Sequence, residues 1–267
     1  MQDQFTEVTT KGWGSRIANS IKGILIGFLI FIVSFGVLYW NEGRIDVSKI
    51  AETAIEINTA TEVPIEADGQ LISTSGTFQS EEKIGDTYLK KGSYMSIYRR
   101  AEMFAWVEET HSKSTSNMGG SETTETTYKY IKQWSSYPVD SSSFKYPEGH
   151  QNPQMSVESR SVSVQDATFG PYQVNMNQLT LPEARNITLD SNKIFSRDGF
   201  KLVNDTYLFK GLGTLAEPKV GDMRISYAVV ANPVNSATIF GQLDSSNQAI
   251  TAYFGVKNTK LYRVFQG

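Results

Sequence analysis

Apolar positions run unbroken from Gly23 to Trp40, GILIGFLIFIVSFGVLYW, with no charge and a single aliphatic hydroxyl, Ser34. As a helix these 18 residues extend roughly 27 Å, close to the hydrocarbon thickness of a bilayer. Twelve of them are Leu, Ile, Phe or Val, each favouring insertion by about 0.3–0.6 kcal/mol near the centre. Lys22 and Arg44 bracket the run, and Tyr39 and Trp40 stand at its end, where amphipathic rings prefer the headgroup region. The pattern predicts a transmembrane helix over residues 22–41. A cleaved signal would have a shorter apolar core followed by a small-x-small site, and Asn41-Glu42-Gly43-Arg44 is not one. Gly23, Gly27 and Ser34 mark a face on which a second helix can pack closely, although glycine is common in membrane helices without that role.

Residues 1–21 read as a short polar leader. Lys11, Arg16 and Lys22 before the span outnumber Arg44 and Lys49 after it, which favours a cytoplasmic N-terminus. The large domain is then expected in the periplasm or in the lumen of the endoplasmic reticulum or nuclear envelope. Val47, Ile50, Ala51, Ala54 and Ile55 recur at helical spacing and predict an amphipathic connector helix over 44–58. Glu52 and Glu56 beside Lys49 suit that helix poorly to anionic lipid, so it is expected on the domain.

Residues 59–267 show short β-branched and aromatic runs cut by glycine, proline and asparagine, the pattern of strands and turns. The expected fold class is α+β: a β-rich extramembrane domain of antiparallel strands attached to one N-terminal transmembrane helix. Glu102–Glu108 is apolar on both faces and reads as a central strand, expected to pair with the alternating stretch Thr127–Trp134. Between them Glu109–Thr126 offers almost nothing to bury and reads as a mobile hairpin loop. Further strands are expected at Ala167–Val174, Tyr207–Lys210, Met223–Val230, Ala237–Gln242 and Ile250–Val256, with turns at Glu217-Pro218 and Asn232-Pro233.

With 25 basic and 28 acidic residues the chain carries a net charge of -3 and shows no basic face for nucleic acid. It has no cysteine, which excludes a disulfide framework, a thiolate metal site and a cysteine nucleophile. Its two histidines, His111 and His150, lack metal-ligand spacing, and no metal or cofactor is expected. Glu108 and Glu109 are adjacent on a strand and point to opposite faces, which spoils them as an acid–base pair. Gly211-Leu212-Gly213 lacks the third glycine and the strand–helix context of a nucleotide turn. Arg99-Arg100 beside Glu102 has two readings, an anion site or ion pairs within the fold.

Six motifs in order then carry a resemblance. They are Asn41-Glu42-Gly43-Arg44, the run Arg99–Glu108, Tyr128-x-Tyr130 with Trp134, Gly149-His150-Gln151-Asn152-Pro153, Met155–Ser159, and Val220–Tyr227 with Asp222 at its centre. In that order and setting the chain resembles the LUMA, or transmembrane protein 43, family. The resemblance implies a first membrane helix, a large lumenal domain and, in animals, residence in the inner nuclear membrane and endoplasmic reticulum. It implies a membrane organiser that self-associates and meets emerin and lamins, with no established reaction. Family members continue into three further membrane helices, whereas this sequence stops at Gly267, so this stretch is expected to be single-pass, either as a truncated form or with its remaining helices outside this sequence.

Two functional classes are consistent with these residues. One is a membrane-anchored scaffold contacting the bilayer, itself and other membrane proteins, with Asn41, Glu42, Gly43, Arg44, Arg99, Arg100, Glu102, Trp106, His150, Asn152, Pro153 and Asp222 as interaction or structural residues. The other is an enzyme on lipid or an envelope substrate, for which His150, Glu102, Arg100 and Asp222 are the candidates. A histidine beside Asn-Pro can equally brace a turn through its ring nitrogens.

Overall fold

A computed structural model describes residues 3–42, 47–58, 64–255 and 259–266. The helices are α1 (Trp13–Glu42) and α2 (Val47–Ala51). The strands are β1 (Gln4–Lys11), β2 (Ile55–Glu56), β3 (Leu71–Gln79), β4 (Tyr94–Ser116), β5 (Glu122–Ser135), β6 (Arg160–Ser163), β7 (Asp166–Phe169) and β8 (Tyr172–Asn175). They continue as β9 (Arg185–Asn186), β10 (Lys201–Leu202), β11 (Leu208–Lys210), β12 (Met223–Ala231), β13 (Val234–Asp244), β14 (Ala249–Thr251), β15 (Tyr253–Phe254), β16 (Lys260–Leu261) and β17 (Arg263–Gln266). The protein is β-rich, and almost all of its ladders are antiparallel. The chain divides into two compact units, Met1–Arg44 with Met103–Met155, and Ile45–Glu102 with Ser156–Gly267.

In the first unit β5 is the centre of a three-stranded ladder. The expected pairing of Glu102–Glu108 with Thr127–Trp134 is present, from Met103↔Ser135 outward. The expected loop Glu109–Thr126 is instead more ladder, continuing to Ser116↔Glu122 around a turn at Asn117–Ser121. Low hydrophobicity suggested a loop, but β5 is hydrogen-bonded on both edges and needs little apolar burial to stay extended. Cross-strand hydroxyls reinforce it, Ser112 with Thr126 at 3.1 Å and Ser114 with Thr124 at 2.8 Å. The leader is likewise corrected: Gln4–Lys11 is β1, paired with β5 from Gln4↔Lys129 to Lys11↔Glu122.

Helix α1 starts at Trp13, nine residues before the predicted span, and runs for 30 residues. Its described apolar side chains from Ile24 to Leu38 are all 52–71% exposed. Among the described residues no helix is, over the stretch whose side chains are described, long and apolar enough to cross a membrane.

In the second unit β3, β13, β14, β8 and β7 pair in a closed ring, β7 returning to β3 at Phe78↔Phe169, so these five strands form a small barrel. Ile72, Phe78, Phe169, Tyr172, Ile239 and Ile250 lie on these strands and are fully buried. Gly241 marks a tight approach in the ring, because a Cβ there would sit 2.5 Å from Ile250 and 2.7 Å from the Thr251 carbonyl. The N-terminal part of β4 pairs with β6, and β12 pairs with β11 and β9. The run Ala167–Val174 is not one strand but the β7–β8 hairpin, broken at Gly170 with φ 57°. The stretch Ile250–Val256 is divided between β14 and β15, and Val256 lies outside the described residues.

The connector helix over 44–58 is also corrected. Among the described residues of that range only Val47–Ala51 is helical. The Thr53 hydroxyl turns back onto the Ile50 carbonyl at 2.7 Å, and Ile55–Glu56 then pairs parallel with β3. β-Branched Thr53, Ile55 and Ile57 favour that extended exit, with Ile57 buried at its end.

Candidate functional site

The motif residues Trp106, His150 and Asn152 converge in the first unit. Asn152 Oδ1 accepts from Trp106 N at 2.8 Å and its Nδ2 donates to Trp106 O at 2.9 Å, so one side chain satisfies β4 as a neighbouring strand would. The His150 ring is fully buried, stacked on Tyr130 with centroids 4.0 Å apart and edge-on to Trp106 at 4.8 Å. Its Nδ1 meets the Tyr146 carbonyl at 3.0 Å, and since a carbonyl only accepts, Nδ1 carries the hydrogen. Its Nε2 faces the Asp3 carboxylate at 3.4 Å. With its ring fully buried and Nδ1 bonded, this histidine braces the segment after β5 and has no open side for a substrate. Pro153 is exposed and lines a cavity of about 300 Å³ with Met103, Val139, Asp140, Asn152 and Met155. The one carboxylate there, Asp140, already accepts from Ser142 N and Oγ, which hold its carboxyl below the usual range.

Around this brace the polar groups are matched. Tyr130 Oη donates to Glu108 at 2.6 Å, and Glu108 also accepts from Lys145 N at 2.6 Å. Glu7 of β1 accepts from Tyr146 Oη at 2.8 Å and pairs with Lys145 at 3.1 Å; these two contacts lower its carboxyl pKa. Burial, and then the bond to Glu108, push the Tyr130 phenol up to about 12. A phenol raised in the fold keeps its contribution below its unfolded value near 10 and loses it as pH rises through about 12. Alkaline titration at 295 nm should therefore count one tyrosine fewer ionising well above pH 10 in Tyr130→Phe, with Tyr88, Tyr227 and Tyr262, which burial also raises, still present. An unchanged titration in that variant would remove Tyr130 from the set.

The remaining candidates serve the second unit separately. Arg99, with its side chain 10% exposed, pairs with Asp86 at 2.8 Å and donates from Nε and Nη2 to the Glu158 carbonyl. Arg99-Arg100 therefore makes ion pairs within the fold, Arg99 with Asp86 and Arg100 with Glu102. Glu102 is buried between Arg224 Nε at 2.7 Å and Arg100 at 3.1 Å, while Arg100 itself is 64% exposed. Asp222 accepts from three backbone N–H groups, those of Leu212, Gly213 and Lys219. It thereby explains Gly211-Leu212-Gly213, since a Cβ at Gly211 would lie 2.0 Å from Asp222 Oδ1. Asp86 is the residue that sequence reasoning missed; only its position in a turn, Gly85-Asp86, hinted at it.

On α1, a Cβ added at Gly23 or Gly27 would meet nothing within 4 Å, and Ser34 Oγ is satisfied by the Phe31 carbonyl at 2.6 Å. Asn41 is exposed in the last turn, Glu42 ends the helix, and Gly43 and Arg44 lie outside the described residues. Among the described residues no cluster of three metal-ligating side chains occurs.

The fold and site define a β-rich protein with a long exposed apolar helix, whose sequence motifs brace strands and turns. The transmembrane protein 43 family profile matches residues 103–267, and the chain belongs to that family. It is similar to transmembrane protein 43 of Mus musculus, 26% identical over 81% of this chain and 55% of the relative. The Homo sapiens protein is 25% identical over the same shares, and the Drosophila melanogaster homolog is 26% identical over 91% of this chain and 66% of its own length. The chain thus spans about half the length of the mammalian relatives it matches. No solved structure matches it.

Proposed function

We propose that the protein is a membrane-anchored scaffold, with α1 immersed in lipid and the β-rich units offering surfaces to a second copy and to other membrane proteins. In animal cells the family resemblance points to partners of emerin and lamin type. The observation that carries this reading is the run of twelve Leu, Ile, Phe and Val side chains on α1, each more than half exposed. Water is a poor solvent for such a face, and burial in acyl chains recovers several kcal/mol. The open surface at Gly23 and Gly27 suits close packing against a second α1. His150, the mainstay of an enzymatic reading, is enclosed and already bonded.

Two lysines introduced at Ile26 and Ile30 cost about 5–7 kcal/mol of insertion at 2.5–3.5 kcal/mol each. The double variant should leave the alkali-resistant membrane pellet while its strand circular dichroism is unchanged. Release of the unaltered chain by alkaline carbonate would sink the anchor. A chain that stays monomeric in mild detergent and captures no membrane protein would sink the scaffold.

A further inference from the structure

The pairing of β1 with β5 constrains how α1 can sit in a bilayer. β1 ends at Lys11, opposite Glu122, and α1 begins two residues later at Trp13. The start of α1 is therefore held at the tip of the β4–β5 hairpin. The Trp13 indole lies so close over Gly120 that a Cβ there would be 2.5 Å from its Cδ1. From the other end of α1 the chain runs on through β2 and β3 to β4, and the one other described α-helix, α2, has five residues. If α1 crossed the membrane, everything from its C-terminal end to β5 would lie on the far side from Lys11. β1 and β5 could not then meet.

The ladder cannot be the return crossing. Glu109, Lys113, Glu125 and Lys129, with Ser112, Ser114, Thr123, Thr124 and Thr126 among them, would carry charges and hydroxyls into hydrocarbon. Nor is β1 held by backbone alone. Its Phe5 stacks on Tyr146 at 4.3 Å, Glu7 is bonded to Tyr146 and Lys145, and the Asp3 carbonyl accepts from Tyr130 N at 2.8 Å. Thr6 and Thr10 meet Thr127 and Thr123 across the ladder at 3.4 and 3.3 Å.

We infer that both ends of α1 lie on one face of the bilayer, the helix being embedded from the side that carries the β4–β5 hairpin, with β1 on that same side. The inference rests on the reading of α1 as a lipid-embedded helix. It replaces the expectation that leader and domain face opposite compartments. The partner assigned to this surface is lipid: α1 is apolar on every described side from Ile24 to Leu38, so it sinks below the headgroups rather than floating on one amphipathic face.

The absence of cysteine makes the test direct. In sealed vesicles carrying the full chain, Thr9→Cys and, separately, Ser142→Cys are labelled with an impermeant maleimide, and only the carbonate-resistant pellet is scored. Thr10→Cys with Thr123→Cys is oxidised in the same membranes, because directly opposed strand positions match disulfide spacing. Thr6→Cys with Thr123→Cys, four residues out of register, is the control. Positions 9 and 142 should react from the same face, and the in-register pair should oxidise at least about ten-fold faster than the control. Reaction from opposite faces overturns the inference whatever the disulfide shows. Reaction from one face without the in-register disulfide overturns it too, since the pairing that causes the arrangement is then absent. Loss of the chain from the pellet is a different result and sinks the membrane reading itself.

Discussion

Replacing Asp86 by alanine is expected to cost about 3–5 kcal/mol, the scale for leaving a buried charge without its partner. Asp86 Oδ1 accepts from Tyr88 N at 2.9 Å, Leu89 N at 2.8 Å and Tyr227 Oη at 2.8 Å, and Oδ2 accepts from Arg99 at 2.8 Å. The Asp86 and Arg99 side chains are 5% and 10% exposed, and Tyr227 is 2% exposed. Truncation therefore strands a guanidinium, a phenol and two amides where water has little access. For a chain of this size the loss corresponds to a fall in Tm of roughly 10 °C. Tyr227→Phe removes one of the four donors and leaves the ion pair, so about 1 kcal/mol is expected there. Burial and then the Asp86 charge raise the Tyr227 phenol, so it remains the neutral donor throughout the physiological range. Thermal unfolding of the detergent-solubilised variants checks both numbers. A drop of less than about 2 °C in Asp86→Ala would show that the network contributes little.

Asp222→Ala is the second large effect, at about 3 kcal/mol. Its carboxylate is 2% exposed and closes the loop between β11 and β12 through the amides of Leu212, Gly213 and Lys219 at 2.8, 3.0 and 2.8 Å. Each stranded buried donor costs about 1–3 kcal/mol, less than additively because the loop relaxes. Gly211→Ala attacks the same arrangement from the other side, since its Cβ would overlap the carboxylate. The two variants should lower the urea midpoint by similar amounts, and the double variant should be little worse than either. Simple additivity would mean that glycine and carboxylate act independently.

Both predictions concern residues whose roles are set far from their own positions in sequence. The strand pair Glu102–Glu108 with Thr127–Trp134 was legible because side-chain alternation and burial on two faces are local properties, and β11, β12 and β13 were legible for the same reason. The run Glu109–Thr126 was not, because a ladder bonded on both edges of β5 can be built from threonine and serine with almost no apolar burial. The leader misled in the same way: QFTEVTTK carries too little hydrophobicity to announce itself, and its partner lies more than a hundred residues away. Of the candidate residues, the sequence brought forward Arg99, Glu102, Trp106, His150, Asn152 and Asp222. Each is bonded within the fold, which local pattern alone left open.

By itself the sequence determined that an uncharged apolar helix lies near the N-terminus, that antiparallel strands dominate the chain beyond it, and that neither cysteine chemistry nor a spaced metal motif is available. Those are matters of composition and period. Only the tertiary structure decided that β1 returns to β5, that five strands close into a barrel, and that the buried carboxylates are held by donors from distant segments. These depend on which separated segments meet, and the hydrogen bonds and ion pairs that fix the meetings exist only once the chain has folded.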